Sequence, residues 1–264
     1  MKTIVITGST RGIGLGLAEA LLQRGCEVVI SGRNPTVVEQ IAAGLADIYG
    51  LERVVGVPCD VSDYDQVQAL WDAAKNRFGE IDIWINNAGI GNLLTPFWEL
   101  EPETMKSVVG TNVLGTMYGS KVAILGMSKQ GHGWLYNMEG FGSGKNMRVQ
   151  PGLTLYGSTK AAVSFVDQSL AAELAGKPVM FGSIQPGMVV TDMLLNQQSG
   201  SDEDWNKTKW IMNILAEKVE TVAPWIADEI LKNDKHGRHI SHMSTAKVMW
   251  RFISSPILKR KVVD

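Results

Sequence analysis

Residues 3 to 24 constrain the fold more than any other stretch. Thr3-Ile4-Val5-Ile6-Thr7 reads as a short buried strand. Gly8-Ser9-Thr10-Arg11-Gly12-Ile13-Gly14 follows, and then a helical run from Leu15 to Arg24. A strand, a glycine-rich turn and a helix N-terminus make an anion cradle. Glycines admit backbone close to a pyrophosphate, and the helix end offers free N–H groups and a positive dipole. A plain tight connection would not call for three glycines with Ser9, Thr10 and Arg11 among them. Residues 8–14 are therefore read as a dinucleotide-binding turn.

The unit repeats. A strand over 27–31 ends in Gly32-Arg33-Asn34, and a helix runs from Thr36 to Ile48. A strand over 53–57 leads to Cys59-Asp60-Val61-Ser62, with Ser62 the expected N-cap of a helix reaching Phe78. A strand over 81–85 ends in Asn86-Asn87-Ala88-Gly89. This βαβαβαβ order predicts an α/β domain: a doubly wound, Rossmann-type parallel sheet in three layers. Strands over 133–138, 178–184 and 238–241 bring the sheet to about seven. Asp60 and Val61 are placed to touch an adenine ring, and Asn87, Ala88 and Gly89 to let backbone approach the cofactor. No acidic residue stands at the end of the second strand to accept ribose hydroxyls. Arg33 stands there, with Arg11 in the glycine turn, and two guanidinium groups suit a 2′-phosphate. NADP(H) is thus expected over NAD(H).

Composition removes other classes. The 264 residues suffice for one large domain with a sizeable core. A net charge of −2 supplies no field for nucleic acid. Cys26 and Cys59 fit no metal or redox spacing and are expected as reduced thiols. No apolar run approaches the ~20 residues of a membrane span. The first strand begins too early for a signal-peptide core. These readings give a cytoplasmic expectation.

Tyr156 and Lys160 lie four residues apart in a stretch with helical propensity, so both fall on one helix face. A cation beside a phenol lowers its pKa and lets it exchange a proton with a substrate oxygen.

The glycine turn, Asp60-Val61, Asn86-Asn87-Ala88-Gly89, Asn112, Tyr156-x-x-x-Lys160 and Pro186-Gly187 occur in one order along nearly the whole chain. Together they resemble the short-chain dehydrogenase/reductase family. The resemblance implies that Tyr156 is the proton donor and acceptor. Lys160 would bind the nicotinamide ribose and lower the phenol pKa, and Asn112 would hold a water connecting Lys160 to solvent. Pro186, Gly187, Val189 and Thr191 would lie along the nicotinamide and pyrophosphate. The family also carries a serine that polarises the substrate carbonyl. Counting back from Tyr156 gives Ser143, and counting forward from the strand gives Gly140; Ser143 is chosen because a hydroxyl is needed. Glu139 is read either as a substrate contact or as a solvated loop charge. The stretch 137–144, with 186–195, 213–217 and 220–223, resembles the chlorophyll(ide) b reductase branch, which reduces the C7 formyl group of a chlorin to hydroxymethyl.

The segment 192–215 reads as a substrate lid rich in Met and Trp, with Met193, Leu194, Trp205 and Trp210 as candidate walls for a large apolar carbonyl or alcohol. A helix over 221–231 follows. The tail, about 245–264, mixes aromatic and basic residues and is read as touching either an anionic membrane surface or another subunit. The long helices expected over 103–127 and 155–175 predict a homo-oligomer, a tetramer by resemblance. Two rivals stand beside the chlorin reading: another large apolar substrate (steroid, quinone or 3-oxoacyl thioester), and a nucleotide-binding regulator without turnover.

Overall fold

A computed structural model describes residues 1–144, 149–195, 202–258 and 260–263, apart from the side chains of 202–205, 207 and 256–258. The elements run β1 (Thr3–Ile6), α1 (Gly12–Gln23), β2 (Glu27–Gly32), α2 (Pro35–Tyr49), β3 (Val54–Pro58), α3 (Tyr64–Phe78), β4 (Ile83–Asn86), α4 (Pro102–Val109), α5 (Gly115–Gln130) and β5 (Gly133–Met138). They continue with α6 (Thr154–Glu173), β6 (Val179–Gln185), β7 (Val189–Val190), α7 (Asp192–Leu195), α8 (Asp202–Leu215), β8 (Glu217–Lys218), α9 (Val219–Lys232), β9 (Arg238–Ser241) and α10 (Thr245–Leu258).

Seven strands form one parallel sheet in the order β3-β2-β1-β4-β5-β6-β9. The predicted doubly wound Rossmann-type sheet is therefore present. The period-two alternation of strand side chains divides the core in two. Ile4, Ile6, Val28, Ile30, Ile83 and Ile85 face a layer built by α1, α2 and α9. Val5, Val29, Trp84 and Leu135 face the opposite layer of α3, α5 and the C-terminal end of α6. Strands buried on both sides read as continuous apolar runs, which is why they are legible in the sequence.

Two local expectations are corrected. The cap of α3 is Asp63, whose carboxylate accepts from Asp65 and Gln66 N–H groups, while Ser62 turns its hydroxyl to Asp60. The single helix expected over 103–127 is two helices joined by a π turn, Gly110–Leu114. There Asn112 reaches across to Ile90, a long-range tie that local propensity does not report.

The tail is also tied within its own chain. After β6 the chain enters β7, leaves for α7 and α8, and returns in β8, which pairs with β7 through Val189↔Glu217 and Val190↔Lys218. That pair closes the base of the 192–215 excursion. Arg251 bonds Glu217 and the Leu215 carbonyl; Arg260 bonds Glu217 at 3.0 Å and the carbonyls of Ile214 and Ala216. Lys247 Nζ stands 3.5 Å from the same carboxylate. Asn213 accepts from the N–H groups of Val262 and Val263. Three of the tail's cations thus fasten it to the lid of its own chain. No helix among the described residues is long and apolar enough to cross a membrane.

Burial works to raise the Glu217 pKa, but Arg251, Arg260 and Lys247 together hold it below its ordinary value. Glu217→Gln is expected to cost about 2 kcal/mol, less than a fully buried pair because Lys247 and Arg260 keep part of their hydration. A depressed carboxylate stabilises fully above its unfolded pKa of ~4.3, and that contribution is lost as pH falls through the lower folded value. Urea titrations should therefore show the wild-type advantage over Glu217→Gln at pH 7 and its loss below about pH 4. A difference that does not change with pH contradicts this reading.

Candidate active site

The C-terminal ends of the sheet open into one cleft of about 630 Å³. At one end lies the glycine turn. Gly8 adopts φ +64°, and a Cβ there would meet Ala88 Cα at 2.8 Å, so the loops after β1 and β4 touch backbone to backbone. Asn87 locks that contact by donating to the carbonyls of Thr7 and Gly8. No side chain caps the N-terminus of α1, which leaves its first N–H groups for an anion. Arg11 and Arg33 are exposed on the cleft rim, and no described residue hydrogen-bonds or ion-pairs with either guanidinium. An uncapped helix end, a glycine cradle and two free guanidinium groups fit a phosphorylated dinucleotide.

Most expected cofactor residues line this cleft: Gly8, Thr10, Arg11, Gly12, Ile13, Gly14 and Arg33, then Val61, Asn87, Ala88 and Gly89, and finally Tyr156, Lys160, Pro186, Gly187, Val189 and Thr191. Two do not. Ser9 is fully buried; its hydroxyl donates to the Ile6 carbonyl and accepts from Ser31 N–H, and its own N–H is taken by the Ser31 carbonyl. It ties β1 to β2. Asp60 uses Oδ1 to accept from the N–H and hydroxyl of Ser62 and so shapes its own turn; Cys59 lines the cleft beside it.

Tyr156 and Lys160 meet in the middle of the cleft, one turn apart on α6. Lys160 is buried and donates to the Met138 carbonyl at 2.9 Å. Burial lowers its pKa to about 8, while Asp167 and Glu139 act to keep it charged. The expected lowering of the phenol is not found in the protein alone. Lys160 Nζ stands 6.0 Å from the Tyr156 ring centre, and burial pushes the phenol up to about 12. Asn112, fully buried, donates to Ile90 O and Thr159 Oγ1. A Cβ at Gly89 would stand 3.5 Å from Asn112 Oδ1 and 3.7 Å from Lys160 Nζ. Glycine thus leaves open a space that both groups border.

The loop after β5 departs from the expectation. Ser143 lines the cleft, but its hydroxyl donates to the Lys160 carbonyl at 3.0 Å and accepts from Gly140 N–H at 3.2 Å. Its proton pins the loop to α6 and does not point at a reacting oxygen. Gly142, at φ +98°, packs its backbone on Gly157, where a Cβ would meet Gly157 O at 2.5 Å. Gly140 faces the phenol: a Cβ there would lie 2.6 Å from Tyr156 Oη. The absent side chain is therefore what lets the phenol and the Lys160 stem pack against this loop. Glu139 is not a solvated loop charge; it is buried and lines the cleft.

Apolar side chains also line the cleft. Met193 and Leu194 line it as expected, joined by Leu94, Ile211, Leu215 and Val248. Trp210 does not: it packs on Phe252, ring centres 6.3 Å apart, on the face of α8 turned to α10. The Trp205 side chain lies outside the described residues. Ile211 and Leu215, one turn apart, carry the cleft face that the tryptophans were expected to supply.

Comparison with known proteins agrees with this geometry. A family model described as short chain dehydrogenase matches residues 2–202. The chain is 38% identical over 232 residues to chlorophyll(ide) b reductase NOL, a chloroplastic protein of Oryza sativa subsp. japonica; the match covers 86% of this chain and 66% of the relative. The chain thus spans less than two thirds of that relative's length. Among solved structures, it resembles a 3-ketoacyl-(acyl-carrier-protein) reductase from Brucella melitensis complexed with NADH, at TM-score 0.79 and 27% identity, over 91% of this chain and 96% of that one. It also resembles a gluconate 5-dehydrogenase from Burkholderia cenocepacia in complex with NADP and tartrate, at TM-score 0.76 and 26% identity, over 91% and 92%. With its glycine turn, its Tyr156–Lys160 pair and a family match over most of its length, the chain belongs to the short-chain dehydrogenase family.

Proposed function

We propose that this protein transfers hydride between NADP(H) and a large apolar carbonyl or alcohol compound. The observation that carries the reading is one cleft lined by the glycine turn, by the Tyr156 phenol with Lys160, and by the apolar side chains of Met193, Leu194, Ile211 and Leu215. The nicotinamide, when bound, supplies or accepts the hydride. Gly8 and Gly14 let the turn close on Ala88 and Asn87, and the α1 N-terminus beside it faces the pyrophosphate. Lys160 holds positive charge under the site. Tyr156 gives its proton to the carbonyl oxygen as negative charge develops there. Assay of a panel of ketones and aldehydes by NADPH absorbance tests the reading; the absence of turnover with every compound would contradict it.

A second, narrower reading is favoured by the 38% identity to a chlorophyll(ide) b reductase. The substrate would then be the C7 formyl group of chlorophyll(ide) b, its macrocycle resting against Met193, Leu194 and Ile211. Incubation with chlorophyllide b and NADPH should give the 7-hydroxymethyl product. No product, with robust reduction of an unrelated ketone, retires this substrate and leaves the broader reading in place.

Two exposed helices support the homo-oligomer, a tetramer by family resemblance: Leu114, Met117 and Leu125 at and on α5, and Phe165 on α6, present apolar side chains to solvent. A monomer mass by light scattering at micromolar concentration would contradict it.

Arg11 and Arg33 should make NADPH bind more tightly than NADH. One charge-assisted phosphate contact is worth about 1.5–3 kcal/mol, or roughly ten- to a hundredfold. Arg33→Ala should narrow the preference by that factor, and equal affinity of the wild type for both cofactors contradicts the assignment.

Tyr156→Phe keeps the ring and removes the proton. NADPH should still bind while turnover falls roughly 10²–10⁴-fold. Ser143→Ala loses a loop hydrogen bond worth about 1 kcal/mol and should cost only roughly fivefold. Steady-state kcat for both variants checks the ranking; a Ser143 loss as large as the Tyr156 loss would restore Ser143 as a direct partner of the carbonyl.

A further inference from the structure

Beneath Lys160 lies a group that the chemistry above does not use. Glu139 follows the strand whose last carbonyl, that of Met138, accepts from Lys160 Nζ. Asp167 lies two turns beyond Lys160 on α6. Both carboxyl side chains are buried, and they stand close enough for each to act on the other. Asn137 Nδ2 donates to Asp167 Oδ1 at 2.7 Å, but neither Asp167 Oδ2 nor Glu139 Oε2 has another donor within reach.

Two ionised carboxylates in mutual contact out of water are not tenable. One proton placed between them satisfies both orphaned oxygens and removes one of the two charges. Burial pushes both carboxyls upward, in the direction that retains such a proton.

The pair also has a way out. Glu139 N–H bonds the Ile184 carbonyl on β6, next to Ser183, and Ser183 Oγ lies 2.9 Å from His239 Nδ1 on β9. That imidazole is 3.8 Å from Glu139 Oε1 and about half exposed. The titratable groups facing the pair are therefore Lys160 from α6 and His239 from β9.

We propose that Glu139 and Asp167 hold one proton between them as a positioning pair, that the single negative charge left on the pair keeps Lys160 charged, and that Ser183 and His239 connect the pair's proton to solvent. The step is a proton transfer only: a carboxyl O–H bond breaks as a neighbouring O–H or N–H bond forms, and no electron pair leaves the network. Its role rests on the reading of Tyr156 and Lys160 as the acid–base couple.

Two measurements test it. Infrared spectra of the wild type without substrate should show, at pH 7, the carbonyl stretch of a protonated buried carboxyl, lost in both Glu139→Gln and Asp167→Asn. No such band, or a band surviving in both variants, overturns the shared proton whatever the substrate is. The pH profile of kcat, with any carbonyl compound found to turn over, tests the action on Lys160. Each single variant keeps one carboxylate, so its alkaline limb should stay near the wild-type position. The double variant Glu139→Gln/Asp167→Asn leaves no charge, and its limb should move down by about one pH unit. A double variant whose kcat falls equally at every pH, with the limb unmoved, makes the pair merely structural. Loss of all reductase activity in the wild type would instead count against the proposed function and leave the infrared result standing.

Discussion

The site depends on the burial of one cation. Lys160 is out of water, and an unpaired ammonium there would shed its proton. Its surroundings answer that cost in two ways: the Met138 carbonyl at the end of β5 accepts its proton, and the Glu139–Asp167 pair supplies opposite charge. Both depend on the sheet. Trp84 donates to Asn86, Asn86 to Asn137, and Asn137 to Asp167, so a chain of buried side-chain hydrogen bonds runs from β4 through β5 to α6. A network of this kind fixes its members because any partly broken version strands a polar group in the core. The position of Lys160 is therefore set by β4, β5 and α6 together, not by a loop.

Around that fixed point the more variable parts are fastened at their ends. The loop after β5 is pinned through Ser143 to the α6 backbone and through Gly144 N–H to Ser164 Oγ. The substrate excursion is closed at its base by the β7–β8 pair and held by the tail through Glu217. The acid–base couple and the substrate walls thus rest on separate supports. A wall residue can change without disturbing Lys160, which fits a family whose members act on substrates as different as those named for the related structures.

Much of this was legible in the sequence, for physical reasons. Continuous apolar runs marked strands buried on both faces, glycine turns marked the βα junctions, and the ordered motifs placed Tyr156 and Lys160 on one helix face. What escaped was decided by tertiary contacts. A hydroxyl at position 143 was visible, but not that its proton goes to the Lys160 carbonyl. Asp60 was at a strand end as expected, yet Ser62 two residues on captures its carboxylate. Trp210 and Ile211 are neighbours on α8; only the packing of α10 decides which one faces the cleft. Glu139 and Asp167 are far apart in sequence, and neither has a local signal of their meeting. Gly140 carried a signal, since counting from the strand reached it.

The least complete part of the site is the phenol. In the protein alone burial pushes it up to about 12, too high for efficient proton exchange near neutrality, with the ammonium 6.0 Å from its ring centre. The account requires that cofactor binding bring the acid–base couple into register. The direct measurement is a spectroscopic titration of tyrosinate formation, wild type minus Tyr156→Phe, with and without saturating NADP⁺. The account predicts that Tyr156 ionises at distinctly lower pH when the nucleotide is bound. An ionisation left at its nucleotide-free position would contradict the claim that the buried Lys160 and its carboxyl pair set the acidity of Tyr156.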